Sequence, residues 1–174
     1  APGAEIRVKG GDFMAFGQNG APVVLKPADD KAGPGAWGGV VFDGAKRGVL
    51  RNVRIQKARY GVDVKNSAPE LQGVVIEDSS QAGVRVDDGG KPVLTCSVLQ
   101  NNQGGGALII EGKGVAPQIR NNVFRGNDFQ VQCYAPVQID LRENFWSGSP
   151  PSEAFFTEKP LLAPALTEPP ECVQ

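Results

Sequence analysis

The chain has 174 residues, 40% of them hydrophobic, with a formal net charge of −1 and no histidine. That length makes one domain with a sizeable core. The near-zero charge gives no electrostatic case for nucleic acid or an anionic membrane, and the lack of histidine excludes histidine bases, histidine-ligated metals and the usual pH switch.

No apolar run approaches the length of a bilayer span. Glycine (23) and proline (14) are abundant, which suits many turns between short strands. The first element is a strand in "AEIRVK", with no cationic and apolar leader before it. The boundary reads as processed or internal, with further sequence expected upstream. Next comes a long polar excursion, "PADDKAGPGAWGG", from Pro27 to Gly39. Long loops on a rigid scaffold often carry function. Asp29, Asp30 and Trp37 are therefore candidate ligand-binding residues, with Tyr60 as a second ring to stack on a sugar. The competing reading folds Trp37 back over an open coil end.

From Gly48 the chain repeats itself. Copies of one phrase begin at Gly48, Pro69, Pro92 and Pro117, and a decaying fifth begins at Ile139. One apolar column is Ile55, Ile76, Leu99, Phe124 and Trp146, with steps of 21, 23, 25 and 22 residues. A second is Val40, Val62, Val84, Leu108 and Phe129, and a third is Leu50, Leu71, Leu94, Ile119 and Leu141. A small or polar turn position follows the first column at Ala58, Ser79, Asn102, Asn127 and Ser149. Helical repeats need longer units. Here each unit holds two or three strands of alternating character, such as Val62-Asp63-Val64-Lys65. Strands this short pair only with the same strand of the next unit. That predicts an all-β solenoid of parallel sheets, one coil per repeat, stacked about 4.8 Å apart.

The pattern resembles the right-handed parallel β-helix repeat family, the pectate-lyase-like architecture, over roughly Gly39 to Trp146. "APGAEIRVKGG" and "APVVLKPADDKAGPGAWGGVVFDGA" look like the opening coils of bacterial secreted and surface members. The resemblance implies a single-stranded helix of about seven coils over residues 1–148. A proline-rich tail over 149–174 is expected to pack on the last coils. It also implies a secreted, periplasmic or cell-surface location. It leaves function open, because one fold hosts many functions.

Within that architecture, enzymes work on outward residues of one sheet. The outward positions are Asp63, Arg85 and Ile109 in one column and Lys65, Asp87 and Glu111 in the next, with Asp88 in the turn beyond. One reading makes Asp63, Asp87, Asp88 and Glu111 acid/base groups or Ca²⁺ ligands, with Arg85 or Lys65 binding a uronate. The other makes them cross-coil ion pairs on a solvated face. Convergence of two carboxylates and a base within one sugar length would favour the enzyme. The alternating signs favour ion pairs. No resident metal or other cofactor is expected.

Arg54, Val75, Val98 and Val123 should also point outward, and three stacked valines make an apolar stripe. The tail is expected to lie over it; otherwise the stripe or the solenoid ends would mediate association. Three cysteines allow one internal bridge. The expected bridge is Cys133–Cys172, which would pin the tail, leaving Cys96 in the coil wall. The preferred function is a non-catalytic structural or binding module that recognises carbohydrate or a protein partner. The alternative is a polysaccharide lyase or glycoside hydrolase.

Overall fold

The computed structural model describes residues 3–173. Its strands fall into coils. The first holds β1 (Glu5–Val8), β2 (Asp12–Phe16) and β3 (Val23–Leu25); the second β4 (Gly39–Asp43), β5 (Arg47–Arg51) and β6 (Val53–Gln56). The third holds β7 (Tyr60–Lys65), β8 (Glu70–Gln72) and β9 (Val75–Glu77); the fourth β10 (Ala82–Asp87), β11 (Val93–Thr95) and β12 (Val98–Gln100). The fifth holds β13 (Leu108–Ile110), β14 (Gln118–Arg120) and β15 (Val123–Arg125). A sixth, partial coil keeps β16 (Val131–Cys133) and β17 (Phe145–Ser147). Every strand pairs in parallel with its counterpart one coil away, giving sheets of six, five and six strands. No helix among the described residues is long and apolar enough to cross a membrane.

The fold is thus the expected parallel β-helix, with about five turns rather than seven. Dividing length by repeat overcounts, because the 26–38 excursion and the tail form no full coil. The inward columns stack as the repeat requires. Leu25, Ile55, Ile76, Leu99, Phe124 and Trp146 share one register row. Ile6, Val40, Val62, Val84 and Leu108 share another, and it continues to Val131, not to Phe129. The 126–130 turn holds two residues more than expected, and Phe129 instead packs edge-on against Phe155 of the tail, 4.9 Å between centroids. Core side chains such as Ile55, Ile76, Leu99 and Phe124 are fully buried. At about 25 cal/mol per Å² of apolar surface, this stack is the main favourable term in folding.

From the second coil onward, the corner before the third strand is turned by a left-handed residue. Asn52, Gly73, Cys96, Asn121 and Glu143 occupy it, with φ between 50° and 62°. The next position drifts from Val53 and Val74 to Ser97, Asn122 and Asn144. These polar residues are buried and form a ladder. Ser97 N–H donates to Asn122 Oδ1 (3.0 Å), and Asn122 N–H donates to Asn144 Oδ1 (3.0 Å). Their amides donate back to the Leu94 and Ile119 carbonyls. Asn102 and Asn127, foreseen as turn residues, repeat the device. The ladder satisfies backbone groups that tight corners leave unpaired.

The tail follows the last coil. Thr157 N–H donates to the Cys133 carbonyl, Leu161 N–H to Ile139, and Leu166 N–H to Asn144. Leu166 bridges Phe145, in the row that contains Val75, Val98 and Val123. Val98 and Val123 are buried. The bridge expected at Cys133–Cys172 is instead Cys96–Cys172, and Cys133 is a free, buried thiol. Geometry decides this. Cys133 lies in the inward row of Val8, Phe42, Val64, Val86 and Ile110. Cys96 sits at the left-handed corner, where a side chain leaves the wall.

Candidate functional site

The outer face of the six-stranded sheet carries the charged residues singled out above. Arg7, Val41, Asp63, Arg85, Ile109 and Gln132 form one row. Asp43, Lys65 and Asp87 form the next. Arg85 gathers three carboxylates. Its Nε donates to Glu111 Oε1 (2.9 Å), its Nη2 to Asp87 Oδ2 (2.9 Å), and its Nη1 lies 3.6 Å from Asp63 Oδ2. Lys65 Nζ is 3.6 Å from Asp87 and 3.8 Å from Asp88. Asp88 is a turn residue: its Oδ1 accepts from the Lys113 N–H (2.9 Å).

The carboxylates are not equivalent. Asp87 is held below the ordinary range: burial works against it, but the Asp88 N–H, Arg85 and Lys65 outweigh burial. Asp63 is held above the ordinary range by burial, which Arg85 only partly offsets. Arg85 itself is pushed up, because the surrounding Asp63 and Glu111 overcome its own desolvation. Asp63 is also the carboxylate of this group that accepts no hydrogen bond among the described residues; its one ion pair is the loose contact to Arg85. A buried network elsewhere makes the contrast. Glu77 is 7% exposed and accepts from Arg54 Nη1 (2.7 Å), Gln56 Nε2 (2.7 Å) and Gln100.

Asp63 lies in a cleft of about 300 Å³ lined by Glu5, Trp37, Arg59, Tyr60 and Arg85 among others. The 33–38 segment forms one wall, stacked on the coil below through Gly35 N–H to the Ala58 carbonyl and Arg59 N–H to the Trp37 carbonyl. Trp37 is anchored there: its indole N–H donates to the Gln56 carbonyl (2.8 Å), and its ring packs on the core. The guanidinium carbons of Arg59 and Arg85 lie 5.4 and 5.2 Å from the Tyr60 ring centroid. The four expected ligand-binding residues separate into two places. Trp37 and Tyr60 line this cleft, whereas Asp29 and Asp30 line a separate one of about 240 Å³ with Lys26 and Lys57. Asp30 pairs with Lys26 (2.6 Å), and Asp29 Oδ1 caps the Lys31 N–H (2.9 Å). Arg59 was not foreseen; the alternation that exposed Asp63 and Arg85 starts one residue after it.

Stacked parallel coils in three sheets, with charged residues along the outer face of one, define a right-handed parallel β-helix. A protein-family comparison then names the family: residues 33–163 match the model described as "NosD: Periplasmic copper-binding protein (NosD)", and the chain belongs to that family. No curated protein and no solved structure matches the chain. Membership agrees with the extracytoplasmic location expected from sequence, and it gives the chain a binding role in the periplasm.

The match corrects one expectation. No cofactor was anticipated, yet the family is described as copper-binding. Copper favours thiolate, thioether and imidazole donors. This chain has no histidine and a single methionine, and Met14 stands alone on an outward position. Cys96 and Cys172 are joined to each other, and burial pushes the Cys133 thiol up. No cluster of three or more His, Cys, Asp or Glu among the described residues could hold a metal ion. The donors of this chain therefore do not fit a copper site, and no chemistry below is routed through one.

Proposed function

We propose that the chain is a carbohydrate-binding module of the periplasm, with its recognition site in the cleft above Asp63. One observation carries the reading. Asp63 is a half-buried carboxylate with no hydrogen-bond donor, facing a walled space beside Tyr60 and Trp37. Its side chain is 20% exposed, so water now meets it, and a hydroxyl-rich ligand can supply the donors in place of that water. Trp37 and Tyr60 give such a ligand apolar walls, and their anchoring keeps the cleft preformed.

The test is a glycan array followed by calorimetry, comparing the wild-type chain with Asp63→Ala. Wild type should bind a defined set of glycans, and the variant should lose at least about tenfold in affinity with an unchanged circular dichroism spectrum. A wild-type chain that binds no glycan, or a variant that binds as well, overturns the reading.

A glycoside hydrolase is the second reading, and it is favoured first by the convergence of Asp63, Asp87 and Glu111 on Arg85, the arrangement an enzyme of this architecture would need. Asp63 and Asp87 are also pushed in opposite directions beside one arginine, as acid and base pairs are. Against it, both Asp87 oxygens are already engaged, by the Asp88 N–H and by Arg85. Release of new reducing ends from a bound glycan would establish it. A protein partner on the valine stripe has less support, because Val98 and Val123 are buried.

A further inference from the structure

On the outer face of the sheet formed by β3, β6, β9, β12, β15 and β17, one register row carries Val24, Arg54, Val75, Val98, Val123 and Phe145. Its valines are not equally covered. Val24 is 46% exposed and Val75 is half-buried, whereas Val98 and Val123 are 8% and 3% exposed. The change falls where the tail crosses. Leu166 is fixed beside Phe145 in the sixth coil and Cys172 at Cys96 in the fourth, so the segment between them passes over the fifth. Leu166, Pro170 and Val173 are its half-buried residues, and the rest are exposed. No hydrogen bond among the described residues ties 167–173 to the coils, so the bridge holds this segment down. Cys96 stands at a left-handed corner, φ 52°, where the coils on either side use Gly73 and Asn121. Those two residues suit that backbone better than cysteine does, and the bond it makes explains its place there. The bridge is also reachable. Cys172 is exposed and Cys96 half-buried. Together they line a cleft of about 430 Å³ with Arg54, Val75 and Val98, and another of about 210 Å³ with Arg51 and Gln72.

We propose that Cys96–Cys172 is a redox-controlled strap. Closed, it holds residues 167–173 over Val98 and Val123. Opened by a dithiol, it bares both valines and lengthens the cleft over Val75 into an apolar groove, while the coils stay folded. A thiolate of the dithiol attacks the exposed Cys172 sulfur. The S–S bond breaks, and its electron pair leaves on Cys96, which takes a proton from water. The second thiol attacks the mixed disulfide and passes its proton to Cys172, so the dithiol becomes a disulfide as the bridge is reduced. Arg51 and Arg54, one in each cleft beside Cys96, favour the departing thiolate. Cys133 is buried in the core and takes no part. The coils survive opening because the tail up to Leu166 keeps its backbone bonds to Ile139 and Asn144. The inference is independent of the carbohydrate reading, whose cleft lies on another sheet.

The experiment holds the whole chain in graded dithiothreitol, quenches with a maleimide and reads intact and peptide mass. Cys96 and Cys172 should become labelled together, while Cys133 stays unlabelled and the circular dichroism spectrum is unchanged. Binding of the apolar dye anilinonaphthalene sulfonate should rise at least about threefold as the label appears, and fall back on reoxidation with oxidised glutathione. A double variant, Cys96→Ser with Cys172→Ser, should bind the dye at the raised level with or without reductant, whereas Cys133→Ala should switch as wild type does. Covalent footprinting should place the newly reached surface on Val98 and Val123. A bridge that opens only when the chain unfolds, labelling of Cys133 alongside the other two, or opening without a gain in dye binding each overturns the inference.

Discussion

Asp63 and Asn122 are both polar groups in a parallel β-helix, but they sit there on opposite terms. Burial holds Asp63 above the ordinary carboxylate range, so the folded chain binds its proton more tightly than the unfolded chain. Stability should then fall as pH rises from the ordinary aspartate range through the raised folded value. Asp63→Asn should melt higher than wild type above that window and equally below it. Melting curves from pH 3 to 8 check this, and a gap independent of pH would contradict it. Asn122 is the converse, fully buried and fully bonded. Asn122→Ala strands the Ser97 N–H and the Leu94 carbonyl and should cost about 1–3 kcal/mol in denaturant unfolding. The first of these residues was legible in the sequence, because alternation put Asp63 outward. Its missing partner was not, since that depends on where the Arg85 side chain reaches. Asn122 was hidden by the drift of its column from valine to asparagine, which no single period reveals.

The stacking of strands made the elements readable. In-register parallel pairing brings each inward position back once per coil, so the rows of Ile55 and of Leu50 are legible in the sequence. Reading failed where a turn changed length, as at Phe129, and where a corner set side-chain direction, as at Cys96. The tail was harder still, because its link to the last coil runs through isolated bridges and a few hydrogen bonds from Thr157 to Leu166. Those bonds predict the effect of removing it. Deletion of residues 152–174 should strip the last coil of its backbone partners at Ile139, Leu141, Glu143 and Asn144 and open its strand edge. Light scattering should then detect association and a lower melting temperature. A truncated chain that stays monomeric and equally stable would show that these contacts contribute little.

At the scale of the whole molecule, a solenoid is a row of nearest-neighbour interfaces, each coil supporting the next. Cys172 changes that arithmetic, because beyond Leu166 no hydrogen bond among the described residues ties the tail back to the coils. Cys172→Ser should therefore raise hydrogen exchange over 167–173 and in the strands of Val98 and Val123, with little change in β1 to β6. Uniform exchange across the chain would refute a local effect. The bridge spans 76 residues, and closing a loop of that size restricts the unfolded chain by about 4.5 kcal/mol in the chain-entropy model.

The same bridge makes the C-terminal half of the molecule a covalent ring. A single proteolytic cut anywhere between residues 97 and 171 opens the ring but separates nothing, so the nicked protein keeps one mass until a reductant is added and then yields two fragments. A cut before Cys96 releases its N-terminal piece at once on denaturation. Protease damage would thus be tolerated on one side of Cys96 and not on the other, although the coils on both sides are built alike.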